Sequence, residues 1–263
     1  MEYITMKTRL IRLMSLILLF SFPFYTISVY LNGNYHLLKN HTTNQCKEDI
    51  LDTLDISSGT INVLWYAIWG GASYDSGKGV AADTSGNIYC TGATYSYGAG
   101  DYDFTLVKYY SNGTKAWNTT WGGSSWEFGS GVAVDTSENI YCSGDTATFG
   151  GGMIPNFALV KFYPNGTKAW NTTWGWGGDS SDYCYGVAAD TSGNVYCIGE
   201  TYTSSMGRSY DLALVKFYSN GIKAWNTTWG GTDYDSGRAV AVDTSGNIYC
   251  TGETWSYGAG NYD

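Results

Sequence analysis

The sequence predicts an all-β chain, a β-propeller of four-stranded antiparallel blades, and three observations carry that expectation. Trp69-Gly-Gly71, Trp121-Gly-Gly123, Trp174-Gly175 and Trp229-Gly-Gly231 recur at intervals of 52, 53 and 55 residues. A second signature, Asp-Thr-Ser-(Gly/Glu)-Asn-(Ile/Val)-Tyr-Cys, begins at Asp83, Asp135, Asp190 and Asp243, and a third, Leu-Val-Lys-(Tyr/Phe)-Tyr, begins at Leu106, Leu159 and Leu214. Landmarks held in one order at a fixed period define a repeat protein. Two tight hairpins in each period fit a propeller blade better than the shorter coil of a solenoid.

The chain opens differently. Lys7, Arg9 and Arg12 precede Leu13–Leu31, an apolar stretch without charge that contains only Pro23 as a breaker. A basic flank before a membrane-length apolar run predicts a hydrophobic helix over residues 1–31 that acts as an uncleaved signal anchor or as a cleaved signal peptide. Either route leaves the basic end in the cytoplasm and the rest of the chain outside, at the cell envelope or secreted. Residues 32–60 follow as a polar stalk, with Asn40, Cys46 and both histidines of the protein, His36 and His41.

Residues 61–263 hold the repeats. Residues 61–71 read as an orphan outermost strand, followed by blades over 79–123, 131–175 and 186–231 and a partial unit over 239–263. In the second unit Gly131–Asp135 reads as strand a, small and β-branched, and Asn139–Gly144 as strand b, where Ile140 and Cys142 alternate with Tyr141 and Ser143. Phe157–Tyr163 reads as strand c, Asn165-Gly166 as the hairpin turn, and Lys168–Trp174 as strand d. Small residues in strand a suit a crowded axis, and the Tyr, Phe and Trp of strands c and d suit a wide rim. The sequence ends where strand c of the fourth unit is due, so the reading is an incomplete ring. The orphan strand is placed to complete a last blade.

These residues resemble the SBBP-type β-propeller repeat of exported bacterial and archaeal surface proteins. The resemblance rests on Trp-Gly-Gly, Gly-Val-Ala-x-Asp-Thr-Ser-Gly-Asn-Ile-Tyr-x-Thr-Gly, Leu-Val-Lys-Tyr and Asn-Gly, in that order. It implies a propeller and brings neither one activity nor any catalytic residue. Where the repeat usually has Val after Ile-Tyr, this chain has Cys.

Composition narrows the chemistry. The repeats contain 9 Lys/Arg and 18 Asp/Glu, which accounts for the net charge of −9. Such a domain repels a phosphate backbone, so nucleic acid is not an expected partner. With no His after residue 60, Ser-His-Asp, Cys-His and His-metal arrangements are ruled out within the repeats. Cys90, Cys142, Cys197 and Cys250 fall at one strand b position in successive units. Neighbouring sheets lie ~10 Å apart and a disulfide needs Cα atoms within ~7 Å, so these four are expected as free, buried thiols. Cys184 is an addition of the third unit, and a Cys184–Cys197 bond is the exception left open. Six Asn-x-Ser/Thr sequons, at Asn40, Asn112, Asn118, Asn165, Asn171 and Asn226, are N-glycosylation candidates on an exported chain.

A four-stranded meander places the a–b and c–d turns at one end of each blade and the b–c and d–a loops at the other. The interval from Leu-Val-Lys to Trp-Gly is constant, whereas the b–c loops 95–103, 146–156 and 202–211 differ. The expected recognition face is therefore the loop end, with Tyr95, Tyr97, Tyr102, Trp126, Tyr202, Tyr210, Trp255 and Tyr257. Asp101, Asp103, Glu127, Asp179, Asp182 and Asp211 share that end. Asp103, Asp211 and Asp263 recur before strand c, a pattern that favours a structural cap, with Ca²⁺ ligation as the alternative. The expected function is a non-enzymatic, exported scaffold that recognises a glycan or a protein. Two alternatives stand beside it. One is an extracellular carbohydrate-active hydrolase or lyase at the axis, with Glu127, Glu200 and Glu253 as candidate carboxylates; the other is a purely structural surface-layer spacer.

Overall fold

The computed structural model describes residues 65–149, 154–175, 180–203 and 209–257. The apolar segment, the stalk, Asn40, Cys46, Asp179 and Asp263 lie outside them. Every regular element among the described residues is a β-strand. The first sheet comprises β1 (Asp75–Ala82), β2 (Ile88–Thr94), β3 (Asp103–Tyr109) and β4 (Lys115–Trp121). The second comprises β5 (Glu127–Val134), β6 (Ile140–Thr146), β7 (Asn156–Phe162) and β8 (Lys168–Trp174). The third comprises β9 (Asp182–Ala189), β10 (Val195–Thr203), β11 (Ser209–Phe217) and β12 (Lys223–Trp229). A fourth holds the pair β13 (Asp235–Val242) and β14 (Ile248–Thr254). Each sheet runs in sequence order and every pairing is antiparallel.

The turns follow from residue type. Gly166 adopts φ 85° in the Asn-Gly corner between β7 and β8, a left-handed conformation that glycine reaches without strain. The a–b turns need the same backbone at their fourth residue, supplied by glycine in three units and by Glu138, at φ 62°, in the second.

Four-stranded blades fan into an open ring, with the strands a innermost. β1 lies against β5, β5 against β9 and β9 against β13, and contact between neighbouring sheets weakens outward from strand a to strand c. The core is accordingly made between sheets. In the first joint Tyr89, Phe104, Leu106 and Trp121 of one sheet meet Val132, Ile140, Cys142, Ala158, Val160 and Phe162 of the next. The second joint repeats this with Tyr141, Phe157, Leu159 and Trp174 against Val195, Cys197, Ala213, Val215 and Phe217. Forward-facing side chains of each blade thus pack on the backward face of its successor.

Residues 65–70 lie in no strand, yet Trp65 occupies a strand d place. Its ring lies against Gly113 in the c–d turn of the first blade, as Trp117 lies against Gly166 and Trp170 against Gly221.

Strand a differs from its sequence reading. It starts about four residues earlier, because a β-bulge interrupts it in every blade. The residues left without a cross-strand partner are Lys78, Ser130, Tyr185 and Arg238. A bulge breaks the two-residue alternation and re-aims one side chain, so the periodic pattern stops there.

Candidate functional site

The three sequence signatures serve the frame. Asp135 Oδ1 accepts the Ser137 and Asn139 N–H groups, while Oδ2 accepts Asn139 Nδ2 and the Tyr141 hydroxyl, and this network recurs on Asp83, Asp190 and Asp243. Burial works against the charge on Asp83 and Asp190, but the donors, led by the Asn side chains, outweigh it and hold both carboxyls below their usual range. The Lys of Leu-Val-Lys lies over the strand b tyrosine: Lys108 on Tyr89 at 5.0 Å, Lys161 on Tyr141 at 5.2 Å and Lys216 on Tyr196 at 5.0 Å. In Trp-Gly-Gly the second glycine donates its N–H to the first residue of the next strand a, Glu127 or Asp235, at 2.8 Å. A Cβ on the first glycine would sit 1.6 Å from Asp103 Oδ1 at Gly122, 1.7 Å from Asn156 Oδ1 at Gly175 and 2.0 Å from Asp211 Oδ1 at Gly230. The motif is glycine because two polar side chains close over it.

Residues that differ between repeats gather elsewhere, on the inner edge at the loop end. The bulge residues are Lys78, Ser130, Tyr185 and Arg238. Beside them the equivalent strand b position holds Ala93, Asp145, Glu200 and Glu253. Arg238 lies 4.6 Å over the Tyr185 ring, pairs with Glu253 at 3.0 Å and donates to the Tyr234 hydroxyl at 3.2 Å. Glu200 is buried and accepts hydroxyls from Tyr185, at 3.0 Å, and Tyr234. Asp145 is buried as well and accepts the Cys184 N–H at 2.7 Å. Burial chiefly, with the charge on Glu200, pushes its carboxyl up to about 8 against the opposing pull of the Cys184 N–H and Lys78. Burial and then Glu200 raise the Tyr185 and Tyr234 phenols. Lys78, Phe128, Ser130, Asp145 and Tyr185 line one pocket on this edge.

Six of the eight aromatic residues expected on the recognition face fall into two clusters above this edge. Tyr95 and Tyr102 meet edge to face at 5.1 Å, with Tyr74 at 5.8 Å and Phe128 at 5.0 Å from Tyr102, and Trp126 stands 5.4 Å from Phe128. Tyr202 and Tyr210 meet at 5.5 Å, and the cluster continues through Tyr183 and Tyr234 to Trp255. Tyr97 and Tyr257 stand apart. Each packs on the tryptophan of a Trp-Gly-Gly motif, Trp69 or Trp229, and donates its hydroxyl to the carbonyl of Gly70 or Gly230 at 3.2 Å.

Sequence reasoning did not pick out Tyr74, Tyr183, Tyr234 or the four bulge residues. The signal available for the latter was a side chain between small neighbours, as in Gly77-Lys-Gly79 and Gly129-Ser-Gly131, that changes in every repeat. Of the acids assigned to the loop end, Asp101 is exposed, but four others do not project from it. Glu127 and Asp182 open strands a and are buried, capped by Thr146 and Thr201, and Asp103, the first residue of β3, and Asp211, the third of β11, are buried too. Cys90, Cys142, Cys184, Cys197 and Cys250 are free thiols. The bulge leaves Cys184 opposite Gly199, two residues from Cys197, and both lie in one joint without a bond. Sequons at Asn112 and Asn165 lie in c–d turns, where the side chains cap the backbone, and those at Asn118, Asn171 and Asn226 lie on the outermost strands.

No curated protein matches the chain. Among solved structures, one described as an inferred gluconolactonase is similar over 70% of this chain and 58% of its own, with 12% identity and a TM-score of 0.38. This chain therefore spans less than two thirds of that relative's length. The model of the SBBP family, a beta-propeller repeat, matches residues 65–98, 175–204 and 228–258. Three four-stranded meanders and the hairpin β13–β14 fan around their strands a, the arrangement of a β-propeller, and the chain is similar to the SBBP repeat at these three places.

Proposed function

We propose that the chain is a non-catalytic recognition scaffold that binds a glycan at the loop end of its inner edge. The observation that supports this most is the distribution of variety. Positions held constant through the repeats are consumed by hydrogen bonds and ring contacts of the frame, while the bulge residue is different in every blade and its strand b neighbour changes from Ala to Asp to Glu, with Glu shared by the third and fourth units. On the third and fourth units this variety brings Tyr185, Glu200, Tyr234 and Arg238 together beneath Tyr210 and Trp255. Aromatic faces that stack on a pyranose ring, with carboxylate, phenol and guanidinium groups for its hydroxyls, suit a sugar. The basic flank and apolar run at the start of the sequence support display outside the cell.

A glycan array probed with the ectodomain, followed by titration of the hits against Tyr210→Ala and Glu200→Gln, tests the reading. Loss of about tenfold or more in affinity for either variant, with an unchanged melting temperature, is the expected result. Retained binding in both variants, or no binding on the array, would sink it. A hydrolase is the second reading, favoured by one observation: the carboxyls of Asp145 and Glu200 are both buried at equivalent positions of neighbouring blades, with burial pushing Asp145 up to about 8, and glycoside cleavage uses a pair of carboxyls of which one is protonated. Turnover of a polysaccharide panel, abolished by Asp145→Asn, would put it first.

A further inference from the structure

At each joint a polar residue at the start of one strand c, Asp103, Asn156 or Asp211, and the first residue of the following strand a approach across the glycine of Trp-Gly. In the first joint these are Asp103 and Glu127, and both are buried, at 1% and 0% exposure. Asp103 Oδ1 and Glu127 Oε2 lie 1.6 and 2.6 Å from the same point, where a Cβ on Gly122 would stand, so two carboxylates share one small space.

Their partners account for three of the four oxygens. Asp103 Oδ2 accepts the Ala99 N–H at 2.8 Å, Glu127 Oε1 accepts the Thr146 hydroxyl and the Thr148 N–H, and Glu127 Oε2 accepts the Gly123 N–H. Asp103 Oδ1 accepts from no protein group, although it is buried. A buried charge without a partner, next to a second like charge, is strongly disfavoured unless a cation or a proton joins it. The cation within reach by position is Lys168, which lines the same cavity as Asp103, Thr119, Thr120 and Gly122. Its Nζ is bonded to Asn171 at 3.0 Å, on the outer strand.

We propose that Asp103 and Glu127 form a Ca²⁺ site that clamps the first joint. The donors are carboxylate oxygens, the class that hard divalent cations take, and the cavity beside Asp103 leaves room for the waters that complete a coordination shell. The second joint is a natural control. There Asn156 takes the place of Asp103, opposite Asp182, so one charge is removed while the geometry at Gly175 is kept. In the third joint the acid pair returns as Asp211 and Asp235 around Gly230.

Tb³⁺ luminescence of the full chain tests this, because Trp121 lines the cavity and would sensitise a bound ion. Tb³⁺ emission displaced by Ca²⁺, and a melting temperature raised by Ca²⁺ but less by Mg²⁺, are expected of the unaltered protein. Asp103→Asn, which copies the residue the second joint already tolerates, should weaken Tb³⁺ binding about tenfold or more at one site and lower the Ca²⁺ response. Asn156→Asp should add a site. Unchanged emission and melting in Asp103→Asn, or a wild-type protein indifferent to Ca²⁺, would overturn the site and leave a proton as the partner of Asp103.

Discussion

The second blade and the fourth sheet carry nearly the same strand b, Ile-Tyr-Cys-Ser-Gly-Asp-Thr against Ile-Tyr-Cys-Thr-Gly-Glu-Thr, and have opposite fates. Tyr141 is 0% exposed and Cys142 is buried, whereas Tyr249 is 58% exposed and Cys250 is exposed. Both tyrosines make the same bond to the turn aspartate, Asp135 or Asp243. The hairpin therefore forms from its own sequence in both places. Burial is provided by the following blade, and the described residues place none beyond β14. Strand d repeats the lesson: Trp121 is 6% exposed with the second blade over it, and Trp229 is 50% exposed. Cohesion lies between sheets, as expected of a repeat architecture in which no unit buries its own hydrophobic faces.

That contrast is most easily broken at the paired tyrosines. Tyr141→Ala should cost about 3–5 kcal/mol, the range for emptying a buried aromatic site, while Tyr249→Ala should cost less than about 1 kcal/mol. Urea titration of both variants checks this, and equal losses would show that the hairpin, not the joint, holds the tyrosine. Next come the thiols. Burial pushes Cys142 up to about 12 and also raises Cys250, but less of the latter is covered. A maleimide should label Cys250 at least ~100-fold faster than Cys142 under native conditions, since Cys142 reacts only through opening of the joint.

The inner-edge acids differ in the same sense. Asp145 is buried, while its equivalent Glu253 is half exposed and paired with Arg238. The folded Asp145 carboxyl titrates at about 8, above its ordinary 3.8, so the folded chain keeps a proton that the unfolded chain gives up. Stability should accordingly fall as pH rises from about 4 to about 8, by no more than about 1.4 kcal/mol per pH unit. Asp145→Asn should flatten that limb in pH-dependent melts, and Glu253→Gln should leave it in place. The smallest effect concerns Lys161, which lies over the Tyr141 ring. Lys161→Ala should cost about 0.5–1 kcal/mol by loss of the cation–π contact, measurable by urea titration.

Legibility followed the same division. Strand d of the second unit runs over Lys168–Trp174, as its alternation and the Asn-Gly corner predict. Strand a was shorter in the sequence reading than in the fold, because Ser130 and its counterparts interrupt the alternation. Glu127 consequently read as a loop acid, and it is the buried first residue of β5. Of the aromatic residues assigned to the loop face, Tyr95, Tyr102, Trp126, Tyr202, Tyr210 and Trp255 do meet in clusters. Tyr97 and Tyr257 look alike in sequence but pack on the Trp-Gly-Gly tryptophans Trp69 and Trp229.

The sequence by itself determined the hairpins, their turns and the period. These depend on local conformational preference and on side chains bonding to backbone two to six residues away, and each is written within one repeat. Tertiary structure alone decided which copies of an identical motif are buried, which acids face each other across a glycine, and which bulge residues meet. Those outcomes depend on neighbours about fifty residues distant along the chain, and no local pattern encodes what a following sheet will cover.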